Sequence, residues 1–150
     1  MTLVPPCAVE DDTLPQIEEH LRVTAAQEEP FDLHLRGTGT FRPVSPVVFV
    51  QLALGISAIE RIEELVRRGP LQRELSFPFH PHVTVAHDLP DEALDRAYDE
   101  LATYEARFVV WGFSLFEHGP DGVWRPQRDF VLGRQLPGPG LPAEGMRASG

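Results

Sequence analysis

The order of predicted secondary-structure elements restricts the fold of this chain more than any other feature, because that order repeats. From Val47 onward, the hydrophobic pattern predicts a strand, a helix, a strand, a helix and two further strands. When Thr2 is superposed on Thr84, the elements after each threonine match in type and order. The matched elements are the helices that begin near Thr13 and Asp88, the strands from Phe31 and Phe108, and the strands from Val47 and Val123. We therefore expect an α+β fold with two pseudo-symmetric lobes, of which the first lacks a leading strand and helix.

Local signals mark where several of these elements begin and end. TLPQ at residues 13–16 and SAIE at residues 57–60 have the pattern of capping boxes, and Asp88 is expected to cap a third helix. GPDG at residues 119–122 lies between two apolar runs and predicts a β-hairpin. Residues 134–150 are rich in glycine and proline and lack periodicity, so we expect a disordered tail.

The segment FHPHVTVAH, at residues 79–87, holds the chemistry that the sequence suggests. Because side chains alternate between the two faces of a strand, Val83 and Val85 are expected to enter the core while His82 and Thr84 point out together. An imidazole beside a hydroxyl on a rigid strand can transfer a proton and hold an anionic oxygen.

Composition argues against several classes of function. The net charge of −10 disfavours electrostatic binding along a long nucleic acid, and DNA is not an expected partner. No apolar run reaches membrane-spanning length, so no membrane association is expected. Cys7 is the single cysteine, which leaves no intrachain disulfide or cysteine-rich metal site and favours a cytoplasmic location. We expect a monomer.

Two segments resemble the paired motifs of the 2H phosphoesterases, a family that includes bacterial 2′-5′ RNA ligases and RNA 2′,3′-cyclic phosphodiesterases. That family carries two His-x-Thr/Ser-x motifs, which face each other across a cleft. FHPHVTVAH is similar to the second motif, and MTLVPP, which contains Thr2, is similar to the end of the first. FDLHLRGTGTF and VVFVQL are similar to strands that follow the first motif. The resemblance covers residues 1–133 as one domain and implies antiparallel sheets that line a central cleft, with helices outside.

The resemblance implies a metal-independent phosphoesterase or ligase that needs no cofactor. One histidine of the facing pair would act as general base and the other as general acid on the leaving oxygen. His82 would be one of them, and Thr84 and Thr2 would hold the non-bridging phosphate oxygens. The implied substrate is a 2′,3′-cyclic phosphate or a 2′-5′ linkage, in a small nucleotide or at an RNA terminus. His80 and Phe41 are candidates for contacts with the substrate.

The first motif departs from the family pattern, because its histidine would fall immediately before Met1. One explanation, which we favour, is a gene start placed too late, and the other is a degenerate copy that no longer catalyses. On either explanation we expect the chain as written to be weak or inactive. The competing hypotheses are therefore an enzyme of this family, a non-catalytic module that binds nucleotides or RNA ends on the same fold, and a structural domain with a chance motif.

The remaining histidines are assigned less specific roles. His87 has the opposite strand parity from His82, so we expect it to be structural. A metal site that combines these two residues with His80 is disfavoured, because the only nearby carboxylate, Asp88, is expected to cap a helix. Three histidines scattered along the sequence are expected to be exposed to solvent: His20, His34 and His118.

Overall fold

The computed structural model describes residues 1–133, which form three helices and six strands. In chain order the elements are α1 (Leu14–Gln27), β1 (Phe31–Thr40), β2 (Val47–Leu54), α2 (Ile56–Val66), β3 (His82–His87), α3 (Asp91–Glu100), β4 (Glu105–Val110), β5 (Gly112–His118) and β6 (Trp124–Val131). A short 3₁₀ turn, Gly69–Leu71, follows α2. None of the described helices is long and apolar enough to cross a bilayer. The predicted tail, residues 134–150, lies outside the described residues.

The strands form two antiparallel sheets of unequal size. The larger sheet has the strand order β3-β2-β1-β4, and β5 pairs with β6 in the smaller one. The expected α+β class and the antiparallel sheets are therefore confirmed, and so is the hairpin at residues 119–122. The strand expected from Phe108 is divided at Trp111 between β4 and β5, which belong to different sheets.

The helices pack on one face of the larger sheet and connect it to the smaller one. One cluster of buried side chains joins α1 and α2 to β6: Ile17, Leu21, Ala25, Ile62, Val66, Leu71, Phe130 and Leu132. A second cluster joins α2 to the larger sheet: Leu33, Leu35, Val50, Leu52 and Ile59. In the third cluster, Leu94 of α3 packs against Val48 and Ala86. The opposite face of the larger sheet is therefore left to polar and aromatic side chains.

The predicted side-chain caps do not form. The hydroxyl of Thr13 donates to a neighbouring aspartate and makes no bond to the helix backbone. The N-cap of helix α2 is Gly55, two residues before the predicted Ser57. Gly55 has a left-handed conformation (φ 91°), and Ser57 already lies inside the helix. Pro90, and not Asp88, precedes the first residue of α3. Burial of each helix's apolar stripe, which outweighs the contribution of one cap, accounts for these helices.

Leu94 packs α3 against the sheet, and truncation of its side chain is expected to destabilise the fold. The side chain is 0% exposed. Leu94→Ala is expected to lower the free energy of unfolding by about 2–5 kcal/mol, because it removes buried methyl groups and leaves a cavity. Urea denaturation measures the change. Leu89→Ala is the matched control, because this leucine is 49% exposed. Equal losses in the two variants would contradict the prediction.

Candidate active site

Strand β3 places His82 and Thr84 on the sheet face opposite the helices. His82 pairs with Gln51 of β2, and Thr84 pairs with Phe49. Residues directly opposite each other on antiparallel strands share a face. Val83, between the two polar residues, points to the other face and packs on the core. The alternation expected for the first half of β3 is therefore present.

A β-bulge at Val85 ends this alternation. Two consecutive residues of β2 pair with Thr84 and Ala86, which leaves Val85 without a partner in the ladder. The Val85 side chain is 39% exposed, so the expectation that it enters the core is wrong. The reason is the extra residue, which shifts every later side chain of β3 by one position.

The bulge also changes the position of His87. Sequence parity places His87 opposite His82, but the unpaired residue returns it to the His82 face, where it pairs with Val47. Its imidazole is exposed and its Nδ1 donates to Asp88 Oδ2 at 2.9 Å. The predicted parity of His87 is therefore wrong. Within residues 1–133, no group of three or more His, Cys, Asp or Glu side chains is arranged to hold a metal ion.

His82 belongs to a cluster of four aromatic rings. The His82 ring centroid lies 5.0 Å from that of Phe41 and 5.2 Å from that of Phe49. The His80 ring lies 5.6 Å and 5.5 Å from the same two rings, which are themselves 4.5 Å apart. The structure thus brings together three residues that the sequence predicts for the site. The fourth, Phe49, is absent from that prediction, because it belongs to an apolar run typical of a core strand.

A hydrogen bond determines which nitrogen of His82 is available for chemistry. His82 Nδ1 lies 2.7 Å from the backbone carbonyl oxygen of His80. A carbonyl oxygen only accepts, so Nδ1 carries the hydrogen and donates it. In the neutral ring, Nε2 therefore holds the lone pair. The imidazole is held in the tautomer that can accept a proton at Nε2.

The absence of a side chain at Gly39 makes room for the ring beneath His82. Gly39 on β1 pairs with Phe49. A Cβ added at this glycine would lie 2.6 Å from two carbons of the Phe49 ring. That distance is far shorter than a van der Waals contact, so the ring position depends on a glycine here.

Gly39→Ala is expected to displace the Phe49 ring and lower the free energy of unfolding by about 1–3 kcal/mol, as overpacking does. Urea denaturation measures the loss, and ¹⁵N chemical shifts of the His82 ring report whether Nδ1 still carries the hydrogen. The matched control is Gly39→Ala combined with Phe49→Leu, because the smaller side chain relieves the contact and restores stability. A destabilisation that is simply additive in the double variant would contradict this account.

The two threonines predicted for the site lie in different environments. Thr84 is exposed beside His82, and in the described part of the chain no hydrogen bond occupies its hydroxyl. Thr2 is exposed and lies outside the strands, next to Leu3 and Val4, which pack on the core. The structure groups Thr84 with His82, whereas Thr2 has no hydrogen bond to that group among residues 1–133.

Two of the histidines expected in solvent are engaged by the protein. His34 on β1 is 7% exposed, and its Nε2 donates to Glu105 Oε1 at 2.8 Å. This bond holds the pKa of the Glu105 carboxyl below its ordinary value. His20 Nε2 donates to the carbonyl oxygen of Val66 at 3.0 Å. The expectation of solvated side chains is therefore wrong for His34 and His20, whose acceptors lie far away in sequence, and correct for His118.

Comparison with known families identifies the chain's relatives. Residues 1–122 match the model of the 2′-5′ RNA ligase superfamily. The chain belongs to that superfamily. A Geobacillus sp. (strain WCH70) protein that bears the name "Putative phosphoesterase" is 27% identical to this superfamily member over 135 residues, which cover 89% of the chain and 78% of the relative. A Bacillus licheniformis protein of the same description is 29% identical over 138 residues, with 89% and 79% covered.

Solved structures share the fold of this superfamily member. TT0787 of Thermus thermophilus superposes with a TM-score of 0.63 at 22% identity, covering 86% of this chain and 75% of that one. LigT of E. coli, complexed with 3′-AMP, superposes with a TM-score of 0.63 at 18% identity, covering 88% and 75%. At these identities the likeness establishes the LigT-like fold.

Proposed function

We propose that this superfamily member is a metal-independent phosphoesterase or ligase in which His82 transfers a proton at the phosphorus centre. The proposed substrate is a 2′,3′-cyclic phosphate or a 2′-5′ linkage, in a small nucleotide or at an RNA terminus. The observation that carries the proposal is the bond from His82 Nδ1 to the His80 carbonyl, which presents Nε2 for proton transfer. A nucleotide ligand, 3′-AMP, occupies the related fold of LigT. The cytoplasmic location, the monomeric state and the domain boundary at residue 133 remain predictions.

The proposed hydrolysis needs one proton removed and one supplied. Water attacks the phosphorus, the bond from phosphorus to one ribose oxygen breaks, and that oxygen is protonated as it leaves. His82 Nε2 serves one of these transfers, and the hydroxyl of Thr84 donates to a non-bridging oxygen that gains charge in the transition state. Phe41, whose ring lies 5.0 Å from that of His82, is proposed to contact the nucleobase. Thr2 is proposed as the second phosphate contact.

The expected rate of hydrolysis depends on a second histidine, in the acid or base role that His82 does not fill. The sequence holds one complete His-x-Thr motif, whereas the family mechanism uses two histidines in opposite roles. We therefore expect slow turnover from the 150-residue chain. The same observation favours a second candidate function, in which the fold binds nucleotides or RNA ends without catalysis.

Incubation with 2′,3′-cyclic AMP in the presence of EDTA separates the two functions. The enzyme converts the substrate into a nucleoside monophosphate, which is resolved by chromatography, and His82→Ala removes the conversion. A binding module retains the cyclic nucleotide unchanged while the nucleotide still alters the NMR signals of His82 and Thr84. Conversion that occurs in a parallel reaction without EDTA but not in its presence would contradict a metal-independent mechanism.

A further inference from the structure

A small cavity lies at strands β1 and β4 of the larger sheet, away from the ring cluster. Its volume is about 240 Å³, and its lining consists of Asp32, Leu33, His34, Leu54, Arg107 and Phe108. Asp32 and His34 alternate along β1 with Leu33 and Leu35, whose side chains pack on the core. The two polar residues therefore point to the face that carries His82.

The cavity presents a donor beside an acceptor. The guanidinium of Arg107 only donates, and the carboxylate of Asp32 only accepts. They are diagonal neighbours across β1 and β4, because Asp32 pairs with Val109 while His34 pairs with Arg107.

The guanidinium of Arg107 remains available to a ligand. Its side chain is 73% exposed and lies 3.5 Å from Glu105. Glu105 is engaged more closely by His34, at 2.8 Å.

We propose that this cavity binds the guanine base of an oligonucleotide whose terminal phosphate lies at His82. Guanine carries the O6 acceptor next to N–H donors on its Watson–Crick edge. Arg107 would donate to O6 and Asp32 would accept from the N–H groups, while Leu54 covers part of the base. Adenine has the reverse order, with an amino donor in place of O6 and an N1 acceptor in place of N1–H, so in the same orientation it faces Arg107 with a donor and Asp32 with an acceptor. The inference rests on the proposed function for the phosphate at His82.

The separation of the two sites indicates which nucleotide carries the base. His82 pairs with Gln51 on β2, and His34 pairs with Leu54. His82 and His34 are therefore separated by two strand spacings across the sheet and by three residues along it, which together correspond to about 14 Å. A base is too close to its own cyclic phosphate to span that distance, because only the ribose separates them. The cavity therefore holds the base of the preceding nucleotide, and the substrate is an RNA terminus of at least two nucleotides.

Guanosine, which has no phosphate, tests the cavity independently of any turnover at His82. In an NMR titration of the full chain, guanosine is expected to shift the amide signals of Asp32, His34 and Arg107. Adenosine is expected to bind at least tenfold more weakly. Asp32→Asn is expected to weaken guanosine binding by at least tenfold. The matched control is Asp99→Asn on α3, which removes an exposed carboxylate that does not line the cavity and leaves binding unchanged.

The base preference of hydrolysis tests whether the cavity and the phosphate site at His82 bind the same substrate molecule. Dinucleotide 2′,3′-cyclic phosphates with guanine in the first position are expected to react with at least tenfold higher kcat/KM than those with adenine, and Asp32→Asn removes the preference. Equal affinity for the two nucleosides, or guanosine binding that Asp32→Asn and Arg107→Gln both leave intact, would overturn the inference. Turnover that requires His82 but shows no guanine preference refutes the inference alone. Guanosine binding in the cavity without His82-dependent turnover supports the cavity and refutes the proposed function.

Discussion

Replacement of His82 by alanine is expected to slow hydrolysis of a 2′,3′-cyclic nucleotide by about 10²–10⁴-fold, the range that general acid–base catalysis contributes. The alanine variant loses Nε2, the one ring nitrogen of His82 that is not committed to the backbone. Because the parent chain is expected to turn over slowly, the rates are measured under single-turnover conditions with protein in excess over substrate. His118→Ala, at an exposed position on β5, is the control and is expected to keep the parent rate.

A second substrate tells whether His82 acts as the acid or as the base. The phenolate of a p-nitrophenyl phosphodiester leaves without being protonated, so the loss of a general acid has little effect on its hydrolysis. If His82 is the acid, His82→Ala slows only the cyclic nucleotide, and if it is the base, both substrates slow together. A variant that keeps the parent rate on both substrates would refute the role of His82.

Thr84→Val is expected to reduce kcat by about 10²–10³-fold, as removal of a single donor to a developing anionic oxygen does. Valine has nearly the shape of threonine and suits a strand, so the backbone and the neighbouring His82 are expected to stay in place. Because the hydroxyl bond strengthens as charge develops, the loss should fall on kcat more than on KM.

Thr84→Ser is the matched control, since it keeps the hydroxyl and removes only a methyl group. Its kcat is expected to remain within a few-fold of the parent, and a urea titration of both variants separates loss of chemistry from loss of fold. Equal kcat values for the serine and valine variants would show that the hydroxyl makes no transition-state contact.

Strand β3 illustrates how far the sequence predicts this site. The alternation of His82, Val83 and Thr84 follows from the period of a strand, so their faces could be predicted. The bulge at Val85 could not, because nothing about a valine marks it as the unpaired residue of a ladder. Side chains beyond the bulge therefore lie on the opposite face from the one that strand alternation predicts, as His87 does.

Contacts between distant segments account for the rest of the difference. His34 is buried because β1 pairs with β4 and brings Glu105 to its imidazole from 71 residues away. Phe49 belongs to an apolar run, which predicts a core position. Only the pairing with Gly39 reveals that its ring supports the histidines. Local patterns specify the elements, whereas the neighbours of a side chain on the open face depend on strand order.

The group that orients His82 is a main-chain carbonyl, and this has an evolutionary consequence. A substitution at His80 changes the ring that faces the cluster but leaves the carbonyl oxygen in place. Selection can therefore vary the side chain at this position to suit different ligands without altering the tautomer of the reactive imidazole. What must be inherited is the path of the backbone through the buried Pro81, so drift in specificity and retention of chemistry are separated between two adjacent codons.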